Sequence, residues 1–181
     1  IQYILDSTYS SSPFFGNVLI TKNNKVLFEK SYGYSDAPNK IALTNENSFQ
    51  VASISKQFTA TGIMILKNKG VLEYDSLVCK YISIFPYKNI TVRHLLTHSS
   101  GLPNFWDDIT HNLDATRSNG NKDVLEYLIQ HQLPLQFEPG TKFQYADIGY
   151  DFLATIIENI SGLSYQEFMY LNIFKPLKMK N

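Results

Sequence analysis

The run VASISKQFTA, residues 51–60, sets a serine three residues ahead of a lysine among side chains that are mostly small or apolar. At positions i and i+3 of a helix, Ser53 and Lys56 are neighbours, with Cβ atoms roughly 5–6 Å apart. A serine hydroxyl is a weak nucleophile at neutral pH and needs a base beside it. A lysine drawn out of water loses some of its preference for the ammonium form and can then accept the serine proton. A serine at a helix start also carries a backbone N–H without an intrahelical partner. With the positive end of the helix dipole, that N–H can stabilise an oxyanion. One helical turn would thus supply a nucleophile, a base and half an oxyanion hole.

Ser53–Lys56 is the one S-x-x-K in the chain. In a serine-rich sequence a single such spacing also arises by accident, and a surface lysine following a capping serine is the structural alternative. A second pair, His94 and His98, is four apart on a stretch that reads as helix, which is legal spacing for two metal ligands. Leu95 follows His94 where H-E-x-x-H requires Glu, and no third ligand stands out. The pair therefore reads as satisfied polar histidines beside a loop, with no metal assigned.

Several elements must position these residues. Residues 1–9 can form a short helix with Ile1, Ile4 and Leu5 on one side. Two β-rich runs, Gly16–Thr21 and Lys25–Tyr32, flank Asn23-Asn24 and predict a hairpin, ended by Gly33 and the stretch 35–40. From Ser53 to Asn68 the pattern turns helical through Ile54, Phe58, Ile63, Ile65 and Leu66, with Gly70 just beyond. Thr91 can cap a helix over 92–98, with Gly101 after it. Helices are also predicted over 123–131, ended by Pro134, and over Ile148–Ile160, closed by Ser161-Gly162. Ser164 and Glu167 form a capping box for one more, stopped by Pro176. The fold class is α+β. Residues 1–49 form an N-terminal helix and a β-hairpin of an antiparallel sheet, and residues 50–181 form a mainly helical body.

Composition bounds the rest. The 181 residues are 44% hydrophobic and 14% aromatic, enough for a packed core, with one domain as the default and two small lobes as the variant. Lys+Arg 16 balances Asp+Glu 16 without a long run of one sign, which gives no electrostatic case for nucleic acid or an anionic membrane surface. No apolar stretch approaches the roughly 20 residues of a membrane span. The single Cys79 cannot form an internal disulfide. The chain opens on Ile1 and has no signal peptide, so a processed or trimmed chain is expected.

The block NSFQVASISKQFTATGIMILKNKGVLEYDSLVCKYI (47–82) resembles the active-site serine segment of the β-lactamase and penicillin-binding serine hydrolases. The branch it resembles is that of class C β-lactamases, D-Ala-D-Ala carboxypeptidases and esterases. The resemblance extends to ITVRHLLTHSSGLP (90–103), to residues 137–169 and to IFKPLKM (173–179), in the expected order. S-x-x-K is the nucleophile motif of this superfamily. The resemblance implies the N-terminal part of a β-lactamase/transpeptidase-like fold and acyl transfer by Ser53 with Lys56. It implies a small-molecule or peptide substrate (a β-lactam, a D-amino-acid peptide or a small ester), no metal or organic cofactor, and an extracytoplasmic location.

The branch's second motif is Tyr-x-Asn. Y-x-[N/D] occurs here at Tyr34, Tyr87, Tyr145 and Tyr170, so the tripeptide alone decides nothing. Only Tyr145 follows a Pro-Gly-Thr turn (139–141) and opens a helix with Gly149-Tyr150, as the family segment does. The resemblance therefore makes Tyr145 the proton shuttle between Ser53 and the leaving group, helped by the nearby Lys56 charge. The alternative is a core tyrosine with a satisfied hydroxyl. Asp147 stands where the family has asparagine. An amide can donate to a substrate carbonyl, whereas a carboxylate only accepts. Asp147 also holds Lys56 in its charged form, unless it is turned away as a helix N-cap.

Phe105, Trp106 and the loop to Gly120 line either a substrate entrance or ordinary packing. The family strand bearing Lys/His-x-Gly has no counterpart, since no Lys, Arg or His has Gly two residues on. The expectation is a partial domain with little turnover by itself and an open hairpin edge prone to self-association.

Overall fold

Two left-handed asparagines, Asn23 (φ 51°) and Asn24 (φ 59°), form the hairpin turn. Asparagine adopts this conformation more readily than most residues, and two in succession match the twist of the strands they join. The computed structural model describes residues 1–103 and 120–179. Strands β1 (Gly16–Lys22) and β2 (Lys25–Tyr32) pair antiparallel with a register shift at Ile20/Thr21. A short second pair, β3 (Tyr34–Asp36) with β4 (Ile41–Ala42), occupies the stretch expected only to end the hairpin.

The chain divides into two compact units, Ile1–Gln50 and Val51–Lys180. In the first, helix α1 (Gln2–Ser11) has no buried residue, and Ile1 and Ile4 are exposed. Its half-buried positions are Leu5, Asp6 and Tyr9, not the expected Ile1, Ile4 and Leu5. A polar contact explains the rotation. Asp6 Oδ1 accepts from Lys30 Nζ at 2.7 Å and from the Tyr32 hydroxyl at 2.8 Å, while Tyr9 and Phe14 pack on the Tyr32 ring.

The second unit is helical. A 3₁₀ turn (Ala52–Ser55) leads into α2 (Lys56–Asn68), so the expected helix from Ser53 begins as a tighter turn. Ile54, assigned to the apolar face by spacing, lies in that turn and is exposed. Next come α3 (Val92–Leu96), α4 (Asn121–His131), α5 (Ile148–Ser161) and α6 (Tyr165–Met169), the last running into a wider π turn (Tyr170–Phe174). The capping boxes Thr91/His94 and Ser164/Glu167 are formed.

Helix α5 is the centre of the core. Ile148, Phe152, Leu153, Ile156 and Ile157 are buried together with Ile63 and Leu66 of α2, Leu95 of α3, Leu128 of α4 and Phe168 of α6. Gly62 lets α2 approach closely. A Cβ there would meet Met169 Cε at 2.8 Å and Ile157 Cδ1 at 2.9 Å. Helix α3 ends at Leu96, short of the expected 98, because His98 is left-handed (φ 52°). His94 and His98 therefore do not share a helical face. The chain then passes Gly101 (φ 73°), whose carbonyl accepts from Gln136 N–H at 2.8 Å. No helix among the described residues is long and apolar enough to cross a membrane.

Candidate active site

Ser53 sits in the 3₁₀ turn, directly after Ala52, whose φ of 45° is left-handed. Such a conformation is uncommon for a residue with a Cβ and is sustained only where surrounding structure fixes it. The turn leaves Ser53 exposed, and among the described residues no backbone carbonyl takes up its N–H. Lys56 is the first residue of α2, one turn on. Its Nζ lies 3.2 Å from Ser53 Oγ. The neighbouring Ser55 is committed elsewhere, its hydroxyl donating to the Ala52 carbonyl at 2.7 Å.

Tyr145 and Asp147 arrive from the segment before α5. The Tyr145 hydroxyl is 2.8 Å from Ser53 Oγ and 3.0 Å from Asp147 Oδ1. It has one proton, so it donates to one of them at a time. Asp147 Oδ1 also accepts from Lys56 Nζ at 2.5 Å. The four side chains thus close a ring, Ser53–Lys56–Asp147–Tyr145, with Lys56 also against Tyr145 across it. Asp147 occupies the N-cap position of α5, yet its side chain makes no capping bond. The reading in which it turns away as a cap is corrected: the lysine ammonium outbids the helix-end N–H groups as a partner for the carboxylate.

Charge in the ring follows from this. Desolvation is the largest influence on Lys56 and favours the neutral amine, but the bonds to Asp147 and Tyr145 together outweigh it. Lys56 is held above the ordinary lysine range. The expectation of a lysine made basic-ready by burial is therefore corrected, because its partner is a full negative charge. Asp147 behaves in the mirror sense. Desolvation favours its protonated form, and the Lys56 and Tyr145 bonds overcome it and hold the carboxyl below the usual range.

Three further groups stand close by. Lys56 Nζ lies over the rings of Tyr145 (5.2 Å) and Tyr150 (5.8 Å), a cation–π environment that also favours the ammonium. The ring of His98 packs on Tyr145. Asp151, one turn beyond Asp147 on α5, has a buried Oδ2 without a hydrogen-bond partner among the described residues, and burial raises its carboxyl to about 6. Sequence reasoning used Tyr150 only to mark the opening of a helix and passed over Asp151. The signal available for Asp151 was spacing, since Asp147 and Asp151 are i and i+4 on one helix face. Phe105 and Trp106 lie outside the described residues.

The sequence and the fold have counterparts among known proteins. The Beta-lactamase family model matches residues 16–181. Penicillin-binding protein 4* of Bacillus subtilis (strain 168) is 37% identical over 179 residues, which cover 99% of this chain and 40% of that protein. The crystal structure of a penicillin binding protein from Bacillus halodurans superposes with a TM-score of 0.84 at 32% identity, covering 97% of this chain and 54% of that one. The D-amino acid amidase of Ochrobactrum anthropi SV3, complexed with L-phenylalanine, gives a TM-score of 0.82 at 28% identity, covering 99% and 49%. The chain thus spans about half or less of the length of these relatives. Its helices and small antiparallel sheets correspond to the N-terminal part of the β-lactamase/transpeptidase-like fold. The chain belongs to the beta-lactamase family.

Proposed function

We propose that this chain carries the nucleophile half of an acyl-transfer site, with Ser53 attacking a carbonyl or equivalent electrophile. The observation that carries the reading is the position of Ser53 Oγ, 3.2 Å from Lys56 Nζ and 2.8 Å from the Tyr145 hydroxyl. In the first step, taken by the fraction of molecules whose Lys56 is the free amine, the Oγ–carbon bond forms, the carbonyl opens to an oxyanion and the serine proton passes to Lys56 Nζ. In the second the oxyanion collapses, the carbonyl–leaving-group bond breaks, and the leaving group takes a proton from Tyr145 that Lys56 replaces. Water then gives a proton to Lys56 and adds as hydroxide to the ester carbonyl; the carbonyl–Oγ bond breaks, the acid leaves and Ser53 Oγ regains that proton. The Ser53 N–H, which no backbone carbonyl takes up among the described residues, is the donor proposed for the developing oxyanion. No metal or organic cofactor enters these steps.

The substrate class proposed is a β-lactam, a D-amino-acid peptide or a small ester. Support comes from relatives that include penicillin-binding proteins and a D-amino acid amidase. Asp147 refines the choice, since a carboxylate favours substrates that present an N–H at that point. An extracytoplasmic, envelope-associated location belongs to the same reading, by way of the bacterial penicillin-binding relatives.

A second reading is a slow or non-turning-over member that binds peptidoglycan-like peptides or a protein partner. The charged state of Lys56 favours it, because an ammonium cannot accept the serine proton. Covalent capture separates the two. Incubation with a fluorophosphonate and with a fluorescent penicillin, followed by mass-spectrometric mapping, should place an adduct on Ser53. Absence of any adduct across pH 6–10 would favour the binding reading.

A further inference from the structure

We infer that His98 is a positioning residue for Tyr145, a clamp that grips the backbone on both sides of the tyrosine and supports its ring. The inference rests on the reading of Tyr145 as the proton shuttle, and its geometry stands independently. Gln144 N–H donates to the His98 carbonyl at 2.8 Å, and Ala146 N–H donates to His98 Nδ1 at 3.3 Å. The residues flanking Tyr145 are thus both bound to His98. Between those bonds the imidazole lies on the phenol, with centroids 4.5 Å apart and planes 32° apart. The far side of the clamp is fixed too, since Tyr150 packs on His98 at 5.2 Å and 30°, and Phe143 meets it edge-on at 6.0 Å.

This arrangement also explains the backbone. Here the residue that presents its carbonyl and its ring to the same neighbouring segment leaves the helical conformation. His98 does so at φ 52°. A left-handed residue with a side chain is uncommon and persists where other contacts fix it. Here those contacts are the two N–H donors and the three rings.

The clamp needs a neutral imidazole. Nδ1 accepts from Ala146 only with a free lone pair, so the ring proton belongs on Nε2. Protonating Nδ1 would set one N–H against another and break one arm. The charged groups facing His98 are Lys56 from α2, which disfavours the imidazolium, and Asp147 from the start of α5, which favours it. Desolvation is the largest influence and, with Lys56, holds the ring below the ordinary histidine range. The clamp is therefore closed at neutral pH and opens in acid.

Three variants separate the arms. His98→Asn keeps an acceptor near the Nδ1 position, tolerates left-handed backbone and does not titrate. His98→Phe keeps a ring and loses the acceptor. Asp151→Asn controls for the other group titrating nearby. In the protein as it exists, the Ala146 amide resonance, followed by ¹⁵N NMR, should shift with the His98 ring on acidification, with a midpoint below 6.5. It should be flat over that range in His98→Asn. Fluorophosphonate capture should show an acid limb with the same midpoint, which persists in Asp151→Asn and vanishes in His98→Asn. At pH 7.5, His98→Phe should be captured at least about tenfold more slowly, whereas His98→Asn stays within a few-fold of wild type. An Ala146 resonance indifferent to His98 ionisation overturns the clamp, as does a limb that vanishes in Asp151→Asn instead. Absence of capture in every protein would sink the acyl-transfer reading alone, with the Ala146 titration still deciding the clamp.

Discussion

Lys56 Nζ and Asp147 Oδ1 are 2.5 Å apart, at the N-terminal ends of two helices that pack against each other. The pair is partly sheltered, its side chains 18% and 34% exposed. This contact decides the resting chemistry of the site. The side-chain nitrogen beside the serine hydroxyl is a cation, and the group that keeps it so accepts from the tyrosine as well.

Asp147→Asn should therefore raise the capture rate of Ser53. The substitution removes the charge that favours the ammonium, so the pH at which Lys56 becomes an acceptor falls. It also restores a donor, and one hydrogen bond to a group developing charge is worth about 1–3 kcal/mol. A rise of about ten- to a hundredfold at pH 7.5 is expected, larger for amide-like than for ester-like reagents. The rate–pH curve should move to lower pH. Superimposable curves would show that the ion pair has no part in setting the rate.

The same substitution should cost stability, with a defined pH window. Asp147 is depressed in the folded chain, so its contribution is present above about 3.8 and is lost as pH falls through the folded value. Lys56 is raised, so its contribution is present below about 10.5 and is lost as pH climbs through the folded value. Urea unfolding at pH 7 should find Asp147→Asn less stable than wild type. The two proteins should converge toward both extremes of pH.

Ser53→Ala should abolish adduct formation and leave the thermal midpoint nearly unchanged, because the side chain is exposed and packs against little. Ser55→Ala tests the neighbour. Its hydroxyl closes the 3₁₀ turn through Ala52, so its loss should lower stability slightly while the adduct stays on Ser53. An adduct persisting in Ser53→Ala would overturn the assignment.

Much of this site was legible because its parts are local. Ser53 and Lys56 lie within one turn, and the spacing of a tight turn survives the change from α to 3₁₀. The asparagine turn, the Thr91 cap and the Ser164/Glu167 capping box were legible for the same reason, since each is settled within four residues. Ile54 was misplaced because helical periodicity was extended into a turn of different pitch. The side of α1 was misjudged because Asp6 is held by Lys30 and Tyr32, more than twenty residues away. The role of Asp147 was left open between cap and partner, and the choice fell to a lysine 91 residues away. His98 read as a spacing with His94. Its left-handed backbone and its bonds to 144 and 146 are tertiary facts that no local pattern encodes.

Gly101→Ala should be among the costliest single substitutions. A Cβ built there falls 2.1 Å from the Phe137 carbonyl oxygen, and φ is 73°. The left-handed backbone alone costs a residue with a Cβ roughly 1–2 kcal/mol. The obstacle is backbone, which cannot swing aside as a side-chain tip can. A loss above about 2 kcal/mol in urea unfolding is expected, against less at Gly62→Ala, whose obstacles are the movable ends of Met169 and Ile157. Equal losses would mean the 137 segment shifts freely.

Asp151 should give the protein a stability that declines from pH 4 to pH 6. Below the ordinary carboxylate value of 3.8 the group is protonated in both folded and unfolded chains and contributes no pH dependence. Burial, with the nearby Asp147 charge adding to it and Lys56 opposing it, raises the folded value to about 6. Between those values the unfolded chain ionises and the folded chain resists, so stability falls as pH rises through this window. The full difference, about 3 kcal/mol, is reached just above pH 6. Asp151→Asn keeps the shape and removes the ionisation, so the decline that this carboxyl causes should be absent from its stability curve. The variant should gain about 1–3 kcal/mol at pH 7.5 and nothing at pH 3.5. Urea denaturation of both proteins at matched pH reads the difference directly, because every other titrating group is common to both. Parallel curves from pH 3.5 to 7.5 would show that the Asp151 carboxyl finds solvent or a partner when it ionises.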